Sequence, residues 1–227
     1  MPFLILLALL VAVMIVPQWW IQRVLARHHQ KPEDNFPGTG GELARHLLDR
    51  FGLEEVKVEA TDKGDHYDPE ARAVRLTADK LNGRTLTSIT VAAHETGHAL
   101  QHAGDEPLFK WRQRLAIMAQ FASRAGMLML YGAPLIALIT RVPSAGLVSA
   151  IGAFLMMGIG VIVQLVTLPV ELDASFNKAL PLLKAGYLSA EQHKGAEQVL
   201  KAAAWTYVAA ALASLLNVWR WLQVLRR

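Results

Sequence analysis

His94, Glu95, Thr96, Gly97 and His98 spell His-Glu-x-x-His within a chain of 227 residues. Two imidazoles four positions apart lie on one face of a helix and converge on a single ion. A carboxylate beside the first of them is placed to take a proton from water at that ion. The spacing therefore points to metal-assisted hydrolysis, with His94 and His98 as ligands and Glu95 as catalytic base. Zinc fits best, because catalytic zinc commonly uses three protein ligands and keeps one position open. One Zn2+ per chain is expected, and a third ligand must be found.

His102 continues the four-residue spacing, but along an unbroken helix it sits roughly 12 Å from His94, too far to share an ion. A position on the helix surface or behind a ligand suits it better. Glu171 is the stronger candidate. It follows directly on the longest apolar run, where a carboxylate is costly unless water, a cation or a partner is near. The bland alternative is a solvated helix end. Asp173, the next acid, is the competing third ligand, and Asp173 or Ser175 is placed to orient an imidazole N–H from behind.

His94 to Gln101 (HETGHALQ) and Leu168 to Ser175 (LPVELDAS) resemble the YugP-like neutral zinc metallopeptidases of bacterial membranes. Asp65-His66-Tyr67-Asp68-Pro69, the AVRLT string at 73–77 and the Leu81-Asn82-Gly83 turn resemble that family as well. The likeness runs from the first apolar segment to the last. It implies a multi-pass membrane protein with a gluzincin-like site in which His94, His98 and Glu171 bind zinc. HtpX-type membrane proteases offer a looser analogy. Their glutamate ligand is followed four residues later by Asp, where this chain has Ser175.

The element carrying the pentapeptide is predicted as a helix from Thr85 that Gly104 ends. Before it, Thr39-Gly40-Gly41-Glu42 opens a helix with Leu43, His46, Leu47 and Phe51 on one face, and Gly52 stops it. Val56, Val58 and Ala60 alternate as a strand. Residues 61–71, rich in Asp, Gly and Pro, read as a turn. Residues 73–77 read as a second strand, an edge to which an extended substrate could add. His66, Tyr67 and His193 are the available stabilisers of a tetrahedral oxyanion. No sequence feature marks substrate-binding residues.

Composition sets the frame. Hydrophobic residues make up 53% and charged residues 19%, against about 25% charged in an ordinary soluble domain. Of the 19 carboxylates, 15 fall between Glu33 and Glu106, and none lies between Glu106 and Glu171. A polar block inside an otherwise apolar chain predicts a membrane protein. The fold expected is mainly α, with four transmembrane helices at 1–22, 115–140, 142–170 and 202–219. A small α+β catalytic block spans 23–112, and an amphipathic segment carrying the third ligand spans 171–201. Trp19, Trp20, Arg23 and Arg27 suit an interfacial belt. Arg23, Arg27 and Lys31 favour the cytoplasmic side for the block, and the family resemblance implies the inner membrane of a bacterial cell.

The chain has no cysteine, which excludes disulfides, thiolate nucleophiles and cysteine-held metals. Its net charge of +4 comes without a basic, aromatic-interleaved run, so no nucleic-acid partner is expected. The partners expected are a polypeptide substrate and the bilayer; oligomeric state is not legible. The reaction expected is hydrolysis of peptide bonds in membrane or membrane-proximal polypeptides. The alternative is a non-proteolytic membrane scaffold or adaptor with a structural zinc site.

Overall fold

A computed structural model describes residues 36–141 and 144–225, with residues 12, 15, 16, 19–24 and 26–28 before them. The expected first membrane helix at 1–22 lies largely outside the described residues. The rest is mainly helical with one small sheet. Helix α1 is Gly40–Arg50, followed by strands β1 (Lys57–Ala60), β2 (His66–Asp68) and β3 (Ala73–Leu76). Helices α2 (Ala78–Leu81), α3 (Leu86–Ala103), α4 (Pro107–Thr140) and α5 (Ala145–Leu172) come next. A π-helical segment, Asp173–Ala179, then leads into α6 (Leu180–Lys184), and α7 spans Ala190–Leu225.

The chain divides into two compact units. The first contains residues 1–15, 111–168 and 207–227, and has no Asp or Glu anywhere in its sequence. Its described apolar side chains face outward in numbers: Phe121, Leu128, Leu135, Leu138, Ile139 and Leu165 are all exposed. Exposed large apolar side chains in such numbers are unusual on a soluble surface. Among the described residues, one helical stretch, Gly158–Lys184, is long and apolar enough to cross a membrane by length and composition.

The second unit, residues 16–110 and 169–206, contains His94, Glu95, His98 and Glu171. Helix α1 starts as expected: Thr39 Oγ1 accepts from the Glu42 N–H, and Glu42 Oε2 accepts from the Thr39 N–H at 2.7 Å. This reciprocal cap satisfies two backbone donors that a helix N-terminus leaves open. Gly40 has no room for a side chain, because a Cβ there would meet the Lys80 carbonyl oxygen at 2.4 Å.

The sheet order is β1-β3-β2, with β1 parallel and β2 antiparallel to β3. Residues 73–77 are therefore not an edge. Ala73, Val74 and Leu76 are wholly buried, the signature of a central strand covered on both faces. The supposed turn at 61–71 conceals β2, one of the sheet's two edge strands, whose three residues are too few to show a period. Arg75 on the central strand pairs with Asp68 on β2 and Glu59 on β1, tying the three strands together.

Helix α3 is buried along most of its length. One side, through Leu86, Ile89 and Ala93, joins Leu43 and Leu47 of α1 with Leu180 and Leu183 of α6. The other, through Ala92 and Ala99, joins Leu48, the sheet residues Tyr67, Val74 and Leu76, and Phe109. Leu47, Leu76 and Leu183 are wholly buried, and each such side chain contributes about 1.5–3 kcal/mol. The HExxH helix is thus the packed centre of this unit.

Candidate metal centre

Thr85 Oγ1 caps α3 by accepting from the Ser88 N–H at 3.1 Å. At the far end, the Asp105 N–H reaches the His102 carbonyl and the Glu106 N–H reaches the Gln101 carbonyl, a Schellman closure. Gly104 ends the helix as expected, and the left-handed residue of the closure is Asp105, at φ 57°. Between these caps the helix runs unbroken, so His94 and His98 share a face with ring centroids 4.7 Å apart.

The distant carboxylate arrives on the end of α5. Pro169 lies inside that helix, and the chain then widens into the π-helical turns of Asp173–Ala179, where the Leu180 N–H bonds the Ser175 carbonyl five residues back. Such widened turns often occur at functional sites. Glu171 Oε2 comes to 3.2 Å from His94 Nε2 and 3.3 Å from His98 Nε2. Donor atoms of all three residues lie within 4.8 Å of one another. His98 and Glu171 are buried.

The donor set fits a cation. Gln101 Nε2 donates to the Val170 carbonyl at 2.9 Å and to Asp173 Oδ2 at 2.8 Å, which turns Gln101 Oε1 toward His98 Nδ1 at 2.9 Å. An amide oxygen only accepts, so Nδ1 carries a proton, and in the singly protonated ring Nε2 presents a lone pair. That lone pair faces a carboxylate oxygen, an arrangement that repels without a positive charge between them. Two ligands each about 2.0–2.2 Å from a tetrahedral zinc stand about 3.3 Å apart, which matches the spacing of Glu171 Oε2 from each imidazole.

Of the two residues expected behind an imidazole, Ser175 meets one and Asp173 does not. Ser175 Oγ lies 3.1 Å from His94 Nδ1, while Asp173 touches Gln101 rather than an imidazole. Asp173 is not among the three clustered donors. Gln101 was missed by sequence reasoning. Its signal was its position three residues after His98, on the same helical face.

Glu95 is buried beside His94. Burial pushes its carboxyl up to about 7, and the charges of Glu171 and Asp65 push the same way. His94 and a hydrogen bond from the Tyr67 backbone N–H oppose that rise. Tyr67 thus reaches the site through its main chain. Burial pushes its phenol up to about 12, and the hydroxyl lies in hydrogen-bond contact with His102 Nδ1 at 2.9 Å. His102 is engaged there, away from the three clustered donors. His66 Nδ1 bonds the Gly64 carbonyl at 2.8 Å. His193 opens α7 with its Nε2 buried, and no hydrogen bond among the described residues ties it to the cluster.

A buried HExxH helix and a glutamate from a distant helix thus bring together three donors that could hold one metal ion. The family described as "Putative neutral zinc metallopeptidase" matches residues 3–226, and the chain belongs to it. Zn2+ is the metal of that family. A similar chain is "Putative membrane protease YugP" of Bacillus subtilis (strain 168), 37% identical over 200 residues, covering 86% of this chain and 84% of the relative. No solved structure matches.

Proposed function

We propose that this protein is a zinc-dependent endopeptidase of the membrane, cutting membrane or membrane-proximal polypeptides. His94, His98 and Glu171 hold the metal, Glu95 is the catalytic base, and Ser175, against His94 Nδ1, orients that imidazole. The observation that carries this reading is the approach of Glu171 Oε2 to both Nε2 atoms from 73 and 77 residues away.

When bound, zinc supplies the Lewis acidity that polarises a peptide carbonyl and acidifies water. The side chain of Glu95 takes the proton of the attacking water on a carboxylate oxygen and hands it to the leaving amine nitrogen. The Tyr67 N–H keeps that carboxylate in register with the sheet. β2 is the sheet edge beside Glu95, and an extended polypeptide adds along it, in place of the 73–77 strand first expected.

The multi-pass reading is supported by where the chain passes between its units, at 15/16, 110/111, 168/169 and 206/207. Trp19, Trp20, Trp111 and Trp205 lie within a few residues of three of these points, and all four are exposed, as an interfacial belt requires. Arg23, Arg27 and Lys31 put the catalytic unit on the cytoplasmic side.

The test is zinc analysis and proteolysis of the purified chain beside Glu95→Gln. The expected result is about one zinc in both proteins, with cleavage of an unfolded membrane polypeptide reduced at least about 100-fold in the variant. Undiminished cleavage by Glu95→Gln refutes the base, and a zinc-loaded wild type that cleaves nothing supports the scaffold alternative.

A further inference from the structure

We propose that Gln101 is a positioning residue whose amide, oriented by Asp173, fixes His98 as its Nδ1–H tautomer and holds the Glu171-bearing backbone against α3. The proposal rests on the zinc reading above and assigns a task to two residues that touch no substrate.

Its basis is the direction of each hydrogen bond. Both partners of Gln101 Nε2, the Val170 carbonyl and Asp173 Oδ2, only accept. Turning the amide over would set its oxygen against two acceptors and its NH2 against the His98 Nδ1–H. Gln101 is 1% exposed and His98 4%, so water cannot replace a lost partner. Asp173 is held in turn: Asn177 Nδ2 donates to Oδ1 at 2.8 Å, and Lys178 Nζ donates to Oδ2. Lys178 also reaches Glu106 Oε1 at 2.7 Å, on a residue whose N–H helps close the end of α3. A continuous chain therefore runs from Glu106 through Lys178, Asp173 and Gln101 to the imidazole.

The same amide does a second thing. Val170 precedes Glu171, so a bond to its carbonyl fixes the backbone from which the carboxylate extends. One side chain thereby sets the lone-pair direction of one donor and the position of another. Hydrogen-bond partners behind metal ligands typically change metal affinity 10–100-fold when removed.

The experiment uses the full chain in detergent, labelled with 15N-histidine, comparing wild type with Gln101→Met and Asp173→Ala. Two- and three-bond nitrogen–proton couplings in the zinc-free protein report the tautomer, and a His98→Gln spectrum assigns the signals. Zinc affinity is read by competition with a chromogenic chelator. In wild type, His98 should be wholly Nδ1–H. In Gln101→Met it should become a mixture with Nε2–H, with zinc affinity about 10–100-fold weaker. Asp173→Ala, altering a partly exposed side chain, should change both readouts in the same direction and serves if Gln101→Met fails to fold. A His98 that stays Nδ1–H in the variants, with affinity within about twofold of wild type, overturns the proposal. If wild type shows the expected tautomer, the variants lose it and no protein binds zinc, the relay stands and the zinc reading fails.

Discussion

The backbone of Ala174 lies directly against Gly97: a Cβ on Gly97 would stand 2.8 Å from the Ala174 carbonyl oxygen. Glycine within a helix normally costs about 1 kcal/mol relative to alanine. Here it lets α3 and the Glu171-bearing segment approach until carboxylate and imidazoles meet. The second variable position of the HExxH string is therefore set by packing.

Gly97→Ala should accordingly separate the donors. Forcing a methyl into a filled contact costs about 1–3 kcal/mol, and the displacement falls on Glu171, three residues from Ala174. The expected outcome is a lower melting temperature together with weaker zinc binding. A variant as stable as wild type with full affinity would show that the contact relaxes without moving the carboxylate.

The identity of the third ligand is tested by comparing Glu171→Gln with Asp173→Ala. Glutamine keeps the volume of Glu171 and removes its charge, so zinc retained after dialysis against a mild chelator should fall well below one per chain. Asp173→Ala should still reach one zinc per chain at saturating metal, with reduced affinity only. The reverse pattern would move the ligand to Asp173. Removing zinc from wild type should abolish proteolysis, and restoring it should recover activity.

How much of this was legible in the sequence follows from the range of each interaction. The pentapeptide, the Thr39 cap and the end of α3 depend on neighbours within a few residues, so spacing exposes them. Glu171 was found because a carboxylate at the end of a 29-residue charge-free run demands a reason. The order of the strands was misread because it depends on which edge finds a partner. The run AVRLT describes a central strand as well as an edge, and three residues of β2 amid Asp and Gly carry no periodic signal. Gln101 escaped notice because an amide has no chemistry of its own until His98, Val170 and Asp173 surround it.

Asp68 should shape the acid limb of stability. Its carboxyl is held below the usual carboxylate range, first by the backbone N–H of Ala71, and also by the Glu70 N–H and the Arg75 guanidinium. A depressed carboxylate stabilises the fold fully above its unfolded value of about 3.9, and that contribution is lost as pH falls through the lower folded value. Denaturant midpoints measured from pH 6 downward should therefore drop below about pH 4. Asp68→Asn should be less stable at pH 6 and show a shallower decline. Parallel declines would mean that other acids set the limb.

The absence of cysteine gives a clean background for the membrane arrangement. Lys63 lies on the exposed loop between β1 and β2, in the unit that carries the metal centre. A thiol introduced as Lys63→Cys should react with a membrane-impermeant maleimide in inside-out vesicles and stay unlabelled in intact spheroplasts. Because β1, β2 and α3 belong to one packed unit, the side on which residue 63 reacts is also the side of Glu95. Labelling in intact spheroplasts would move the catalytic unit outside the cell. The positive charges of Arg23, Arg27 and Lys31 would then yield to those of Arg220, Arg226 and Arg227 as the group that sets orientation.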